Sequence, residues 1–209
     1  MKSLFNLANK YNTDKRYEEH NYIQMYSEIM ESSRTTVNKM LEIGFGKGGS
    51  VRMWMDYFPN ADIYCMEYCD EEYKNVWHNP NLDIPNLEVI IGDSTKPESW
   101  LNVPYELDYI IDDGDHHPEN QIATFMNGFS HVKSGGLYFI EDTHCNFEKI
   151  YTGGIDVIYR WAFEMIIQQQ TPGRNYGGNF YSSRHAMPPI VNEIYSYFFY
   201  KSIIAFQKA

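Results

Sequence analysis

Cysteine is scarce in this chain, basic charge is in deficit, and no apolar run approaches membrane-spanning length. The three cysteines, Cys65, Cys69 and Cys145, are too few for a disulfide framework and lack the paired spacing of a zinc site. Cys65 and Cys69 flank Glu67 in DIYCMEYC, so reduced, packed thiols are expected there rather than a bridge. Lys and Arg number 17 against 28 Asp and Glu, a formal net charge of -11. Phosphate binding needs basic stripes, and their absence argues against a nucleic-acid partner. A membrane partner is equally unexpected, and MKSLFNLANKYNTDK is too polar for a secretory signal. The expected compartment is the cytoplasm. Repeats and low-complexity tracts are missing too.

What the chain does have is aromatic surface and a regular alternation of apolar segments. Tyrosines number 18, and their apolar faces with polar tips suit both packing and sugar-like ligands. A length of 209 residues fits one domain, 1–209. Residues 3–33 read as two helical pieces, SLFNLANKY and YIQMYSEIMESS, within an N-terminal helical lid segment, 1–36. Strands follow at 39–43, 62–67, 87–93, 107–112 and 136–142. Helices are expected at 49–58, from Pro118 to about 132 and at 155–170, with a helical or irregular stretch around 70–78. Strands spaced by helices imply right-handed crossovers and a parallel sheet. EIYSYFFY and SIIAFQK close the chain as an antiparallel hairpin at the sheet edge. Residues 145–191 are expected to form a helix plus a substrate-side loop. In that loop Arg174, Tyr176, Tyr181 and His185 stand among glycines.

The chemistry is concentrated where strands end. YIIDDGDHH (109–117) and LYFIEDTH (137–144) are apolar strands that break into acids followed by histidine. A parallel sheet places functional groups at its carboxyl ends, which would gather Asp112, Asp113, Glu141, Asp142 and His116. Crowded carboxylates repel unless a cation sits among them, which suggests a hard divalent metal beside a histidine base. Alternation at a strand end turns Asp112 away from Asp113, towards an amino group instead of the metal. The same alternation lets adjacent Glu141 and Asp142 both ligate only if the backbone leaves strand geometry there. His117 and His144 read either as solvated loop residues or as substrate contacts.

A third strand supplies a cofactor site. MLEIGFGKGGS (40–50) runs from apolar residues into Gly44, Gly46, Gly48 and Gly49, then into an amphipathic helix. Such a turn lets backbone N–H groups approach an anionic ligand. Glu67, ending the second strand, stands where ribose hydroxyls are held in doubly wound folds. The glycine spacing also satisfies the nicotinamide pattern. The closing hairpin, Asp93-Ser94 ending the third strand as an acceptor for an adenine amino group, and Glu42 before the glycines favour S-adenosylmethionine.

The motifs KYNTDK with His20, Tyr22 and Tyr26, LEIGFGKGGSVRMW, YFPNADIYCME, DYIIDDGDH and GGLYFIEDTH resemble the macrolide sugar O-methyltransferases of the mycinamicin type. They also resemble the related class I methyltransferases labelled cephalosporin hydroxylases. The resemblance implies a Rossmann-like α/β fold, a doubly wound seven-stranded sheet with a C-terminal antiparallel hairpin. It implies a Mg²⁺-dependent O-methyltransferase using S-adenosylmethionine on a sugar hydroxyl of a glycan, glycoside or other small molecule. Asp113, Glu141 and Asp142 correspond to magnesium ligands and His116 to the general base. KYNTDK corresponds to a segment closing over the cofactor, bringing Thr13 and Lys15 to it beside Gly44, Gly46, Ser50, Glu67, Asp93, Ser94 and Asp112. Lys15 and Asp14 also read as simple surface charges. Asp115 stands where relatives carry serine, and the resemblance leaves a homo-oligomer open. The competing readings are a nicotinamide dehydrogenase, a methyltransferase acting on a non-sugar hydroxyl, and a non-catalytic binding module. A hydroxylase would need two histidines and a carboxylate around iron, and the linear spacing offers no convincing set.

Overall fold

The computed structural model describes residues 2–68, 87–151, 156–170 and 189–209. Cys69, the stretch 70–78 and the residues Arg174, Tyr176, Tyr181 and His185 lie outside the described residues. Seven strands form one sheet: β1 (Lys39–Ile43), β2 (Asp62–Glu67), β3 (Leu87–Ile91), β4 (Leu107–Asp112), β5 (Val132–Ile140), β6 (Ile194–Tyr200) and β7 (Ile203–Lys208). Their order is β3-β2-β1-β4-β5-β7-β6. The first five are parallel, and β7 is antiparallel to both β5 and β6. The expected doubly wound seven-stranded sheet with its closing hairpin is therefore present.

The pleat sorts side chains onto two cores. Met40, Ile63, Cys65, Tyr109, Ile111, Phe139 and Ala205 face α1 (Leu4–Tyr11), α2 (Ile23–Met30) and α3 (Gly49–Tyr57). Leu41, Ile43, Met66, Ile110, Tyr138, Ile140 and Phe206 face α4 (Pro118–Gly128) and α5 (Val157–Gln170). Both faces are covered, so the central strand β4 is buried at every position. No described helix is long and apolar enough to cross a membrane. Cys65 and Cys145 are buried and free.

Strand β5 and the end of β3 differ from the sequence reading. β5 begins at Val132, four residues before the expected start at Gly136, and ends at Ile140. The Gly135-Gly136 pair sits inside the strand as an irregularity, with Gly135 at φ 77° and the ladder shifting between Leu107 and Tyr109. At the other end, Asp142 takes left-handed geometry (φ 54°, ψ 32°), which no strand accommodates. β3 likewise stops at Ile91, short of Asp93.

Candidate active site

Backbone hydrogen bonds continue past the strand ends and hold the carboxyl-end loops in register. Gly92 N donates to Glu67 O, Gly44 N to Met66 O, Asp113 N to Ile43 O and Glu141 N to Asp112 O, all at 2.9–3.0 Å. Thr143 N extends the series to Ser202 O at 3.1 Å. The residues carrying chemistry are thus placed by the sheet itself rather than by loose loops.

A cleft of about 900 Å³ opens over these ends. Its wall includes Thr13, Gly44, Gly46, Ser50, Glu67, Asp93, Ser94, Asp112, Asp113 and His116. Gly44 has φ 92°, and a β-carbon there would overlap the Asp113 carbonyl oxygen, so only glycine lets β1 and β4 approach this closely. Glu67 Oε2 accepts from Phe45 N at 2.7 Å, fixing the carboxylate beside the glycine turn. Burial pushes the Glu67 carboxyl up, and the Phe45 amide works against that. Ser50 Oγ donates to Glu42 Oε2 at 3.0 Å, and burial pushes Glu42 up to about 7 despite Lys15 nearby. Asp93 Oδ1 is engaged by the Thr95 amide and hydroxyl, and Ser94 Oγ by Thr124 Oγ1.

Asp112 is 2% exposed, and its Oδ2 has no hydrogen-bond partner. Burial pushes its carboxyl up to about 8, the Gly114 amide opposing and Asp113 and Asp115 adding to the rise. Asp112 lines the cleft as a residue, but its Oδ2 is shut off from solvent, and the Tyr138 hydroxyl is its nearest polar neighbour within the core. Gln121 Oε1, on the same wall, is also unpartnered. Sequence reasoning missed Gln121 because it is an ordinary polar position of α4 by pattern.

Lys15 is not on the cleft wall. It is fully buried, its Nζ 2.6 Å from Asp113 Oδ2, 2.5 Å from Glu141 Oε2 and 3.4 Å from Glu42 Oε1. The surface-charge reading of Lys15 fails. Burial alone would lower its ammonium, but Asp113, Glu141 and Glu42 hold it well above the ordinary lysine range. Tyr26 donates its hydroxyl to Glu141 Oε1, so both Glu141 oxygens are engaged from inside the protein.

The backbone leaves strand geometry at Asp142, and Glu141 and Asp142 have different partners. Asp142 Oδ2 lies 3.4 Å from His116 Nε2, while Oδ1 accepts from the Tyr22 hydroxyl. One ligand atom from each of Asp113, His116 and Asp142 fits within a 4.8 Å sphere of separations. His116 is itself left-handed at φ 62°, a conformation uncommon for histidine and one that recurs at functional sites. His117 is half-exposed and pairs with Asp115 at 3.6 Å, away from this cluster, whereas His144 lies beside Asp142. The roles of Tyr22 and Tyr26 were hidden in sequence, since each meets its acid across more than 100 residues of chain.

No family model matches the chain. It is 31% identical over 149 residues to the mycinamicin VI 2''-O-methyltransferase of Micromonospora griseorubida, covering 66% of this chain and 35% of that protein. It is 26% identical over 163 residues to the 8-demethyl-8-alpha-L-rhamnosyl tetracenomycin-C 2'-O-methyltransferase of Streptomyces olivaceus, covering 73% and 41%. Among solved structures, the MycE methyltransferase of the mycinamycin pathway, in complex with Mg and SAH, superposes with a TM-score of 0.81 at 24% identity. That match covers all of this chain and 55% of the other. The chain therefore spans well under half the length of these two relatives, and its fold is that of the class I methyltransferases.

Proposed function

From a class I methyltransferase fold whose Glu67, Asp112, Asp113 and His116 line one cleft, with Asp142 beside His116, we propose that this protein is a Mg²⁺-dependent O-methyltransferase. It transfers a methyl group from S-adenosylmethionine to a sugar hydroxyl of a glycoside or glycan. The observation that carries this reading is that Glu67, Asp112 and Asp113, held in register by the sheet, share one cleft with His116. By their names, relatives act on a rhamnosyl tetracenomycin and an olivosyl oleandolide, which supports a sugar hydroxyl as the acceptor.

The residues fit the cofactor. Glu67 would hold the ribose hydroxyls, Asp112 would face the amino group, and Asp93 and Ser94 would border the adenine. The Gly44 and Gly46 backbone and Ser50 allow close approach, and Thr13 closes the cleft as part of the lid segment 1–36. Lys15 serves this site from beneath by neutralising the acids. S-adenosylmethionine supplies a methyl group already activated on a sulfonium, so the protein's task is positioning and proton removal.

The residues also fit a hard cation: Asp113 and Asp142 present carboxylate oxygens within 4.8 Å of each other. Glu141 joins them only in exchange for Lys15. Bound there, Mg²⁺ would lower the pKa of an acceptor hydroxyl. His116 takes the hydroxyl proton at Nε2, and Asp142 at 3.4 Å stabilises the imidazolium that results. Buried free thiols fit a reducing compartment such as the cytoplasm.

Calorimetry with S-adenosylhomocysteine, followed by methyl transfer to a panel of glycosides with Mg²⁺ or EDTA, tests the reading. Glu67→Ala is expected to weaken cofactor binding by about 1.5–3 kcal/mol, the range for hydrogen bonds to a charged group. Asp113→Asn or EDTA should abolish turnover and leave S-adenosylhomocysteine affinity within about a factor of two. Absence of S-adenosylhomocysteine binding, or full turnover in EDTA, would overturn it.

A further inference from the structure

Asp142 uses its two oxygens on opposite sides. Oδ2 belongs to the cluster with Asp113 and His116, as described. On the Oδ1 side stand two other histidines: His144 Nδ1 at 3.8 Å and His20 Nδ1 at 3.9 Å. One ligand atom from each of His20, Asp142 and His144 lies within 4.8 Å of the others. Among the described residues no Lys or Arg pairs with Asp142, because Lys15 is spent on Asp113, Glu141 and Glu42.

The geometry is that of ligands awaiting a centre. A metal with ~2.1 Å bonds holds tetrahedral neighbours roughly 3.4 Å apart, so the two Asp142–histidine separations of 3.8 and 3.9 Å need only a small contraction, and the histidine nitrogens, within 4.8 Å of each other, must approach further. Both imidazoles have room for it, with side chains 35% and 42% exposed. His144 Nδ1 is shut off from water and has no hydrogen-bond partner, a lone pair or proton left without a use. Its opposite nitrogen, Nε2, faces the Cys145 thiol at 3.9 Å. The His20 ring is held flat against Tyr22, with centroids 5.3 Å apart and planes 19° from parallel. Tyr22 in turn donates its hydroxyl to Asp142 Oδ1, the kind of outer contact that orients a ligating carboxylate.

We propose that His20, Asp142 and His144 form a second cation site, which takes a borderline divalent transition metal such as Zn²⁺ or Co²⁺. Two imidazoles and one carboxylate suit those ions, whereas Mg²⁺ prefers an all-oxygen shell. Asp142 bridges this site and the Asp113–His116 side. The exposed flanks of the histidines leave further positions open to water or to an acceptor's oxygens.

The test is a titration of the metal-stripped full chain with Co²⁺ in saturating Mg²⁺, read by visible absorption, with Zn²⁺ competition and elemental analysis. The wild type is expected to bind one Co²⁺ with the spectrum of nitrogen ligation. His20→Asn and His144→Asn should each weaken it by about tenfold or more, and the double variant should abolish it. Circular dichroism and S-adenosylhomocysteine binding report that the variants are folded, as the partial exposure of both residues favours. An unchanged Co²⁺ isotherm in the double variant overturns the site. So does a double variant that binds Co²⁺ normally but has a raised KM for the acceptor, which would make the histidines sugar contacts. The titration uses neither cofactor nor acceptor, so its failure and a failure of the methyltransferase reading are separately visible.

Discussion

Single residues set the geometry of the cleft, and glycines at neighbouring positions do so for different reasons. Gly44 combines φ 92° with contact against the Asp113 backbone, whereas Gly46 has φ 49° and nothing within 4 Å of a β-carbon. Gly46→Ala should therefore cost only the left-handed conformation, about 1–2 kcal/mol. Gly44→Ala must also push β4 away from β1 and should cost clearly more, as measured by urea unfolding. Equal losses would mean that the close approach of β1 and β4 is not a constraint. Glu141 and Asp142 make a similar contrast. Adjacent on an ideal strand they would face opposite sides of the sheet, and the left-handed turn at Asp142 changes that relation. The acids were legible in the sequence as a cluster. Their separate partners were not, because a φ of 54° at an aspartate leaves no mark in composition or periodicity.

The elements differ in how plainly they were written. β1, β2 and β4 match the sequence reading residue for residue, since each is a short apolar run between turn signals. The loop between α1 and α2 reads in sequence as a polar segment that closes over the cofactor and brings Lys15 to it. Its Lys15 carbonyl accepts from both Tyr22 N and Ile23 N, and its Lys15 side chain reaches acids on β1 and just beyond β4 and β5. One buried ammonium thus fastens the N-terminal segment to the sheet. Lys15→Met should leave three acids without their cation and destabilise the protein by about 3–5 kcal/mol in chemical denaturation. A variant as stable as the wild type would mean that the acids are neutral in the folded protein. Long-range ion pairs of this kind have no local signal, so neither the cofactor-side nor the surface reading of Lys15 could point to them.

The molecule as a whole is a sheet with a core on each face, and its acid response includes a group far from the cleft. His131 is 4% exposed, stacked 4.2 Å from Tyr105, with Nδ1 3.2 Å from Pro104 O. Burial holds its pKa below the ordinary 6.5, the Pro104 and Val103 carbonyls opposing. A depressed histidine contributes stability that is intact above about 6.5 and lost as pH falls through the folded value, because the unfolded chain takes the proton first. His131→Asn should flatten the acid limb of the stability profile by at most about 1.4 kcal/mol per pH unit. Urea midpoints at pH 7.5 and 5 measure this, and parallel profiles would assign the acid limb to other groups. The sheet order was legible as a fold class because crossovers and hairpins follow general chirality and turn rules.

The position of β7 between β5 and β6 has a consequence for how the chain is made. β5 leads directly into Glu141 and Asp142, yet one of its two edges is closed only by residues 203–208. During synthesis the acid-bearing strand is therefore an open edge while more than fifty further residues emerge, and open edges pair readily with other chains. Ribosome-stalled chains ending before Ile203 should consequently be caught by chaperones or lost to aggregation, while release of the segment to Lys208 should restore solubility.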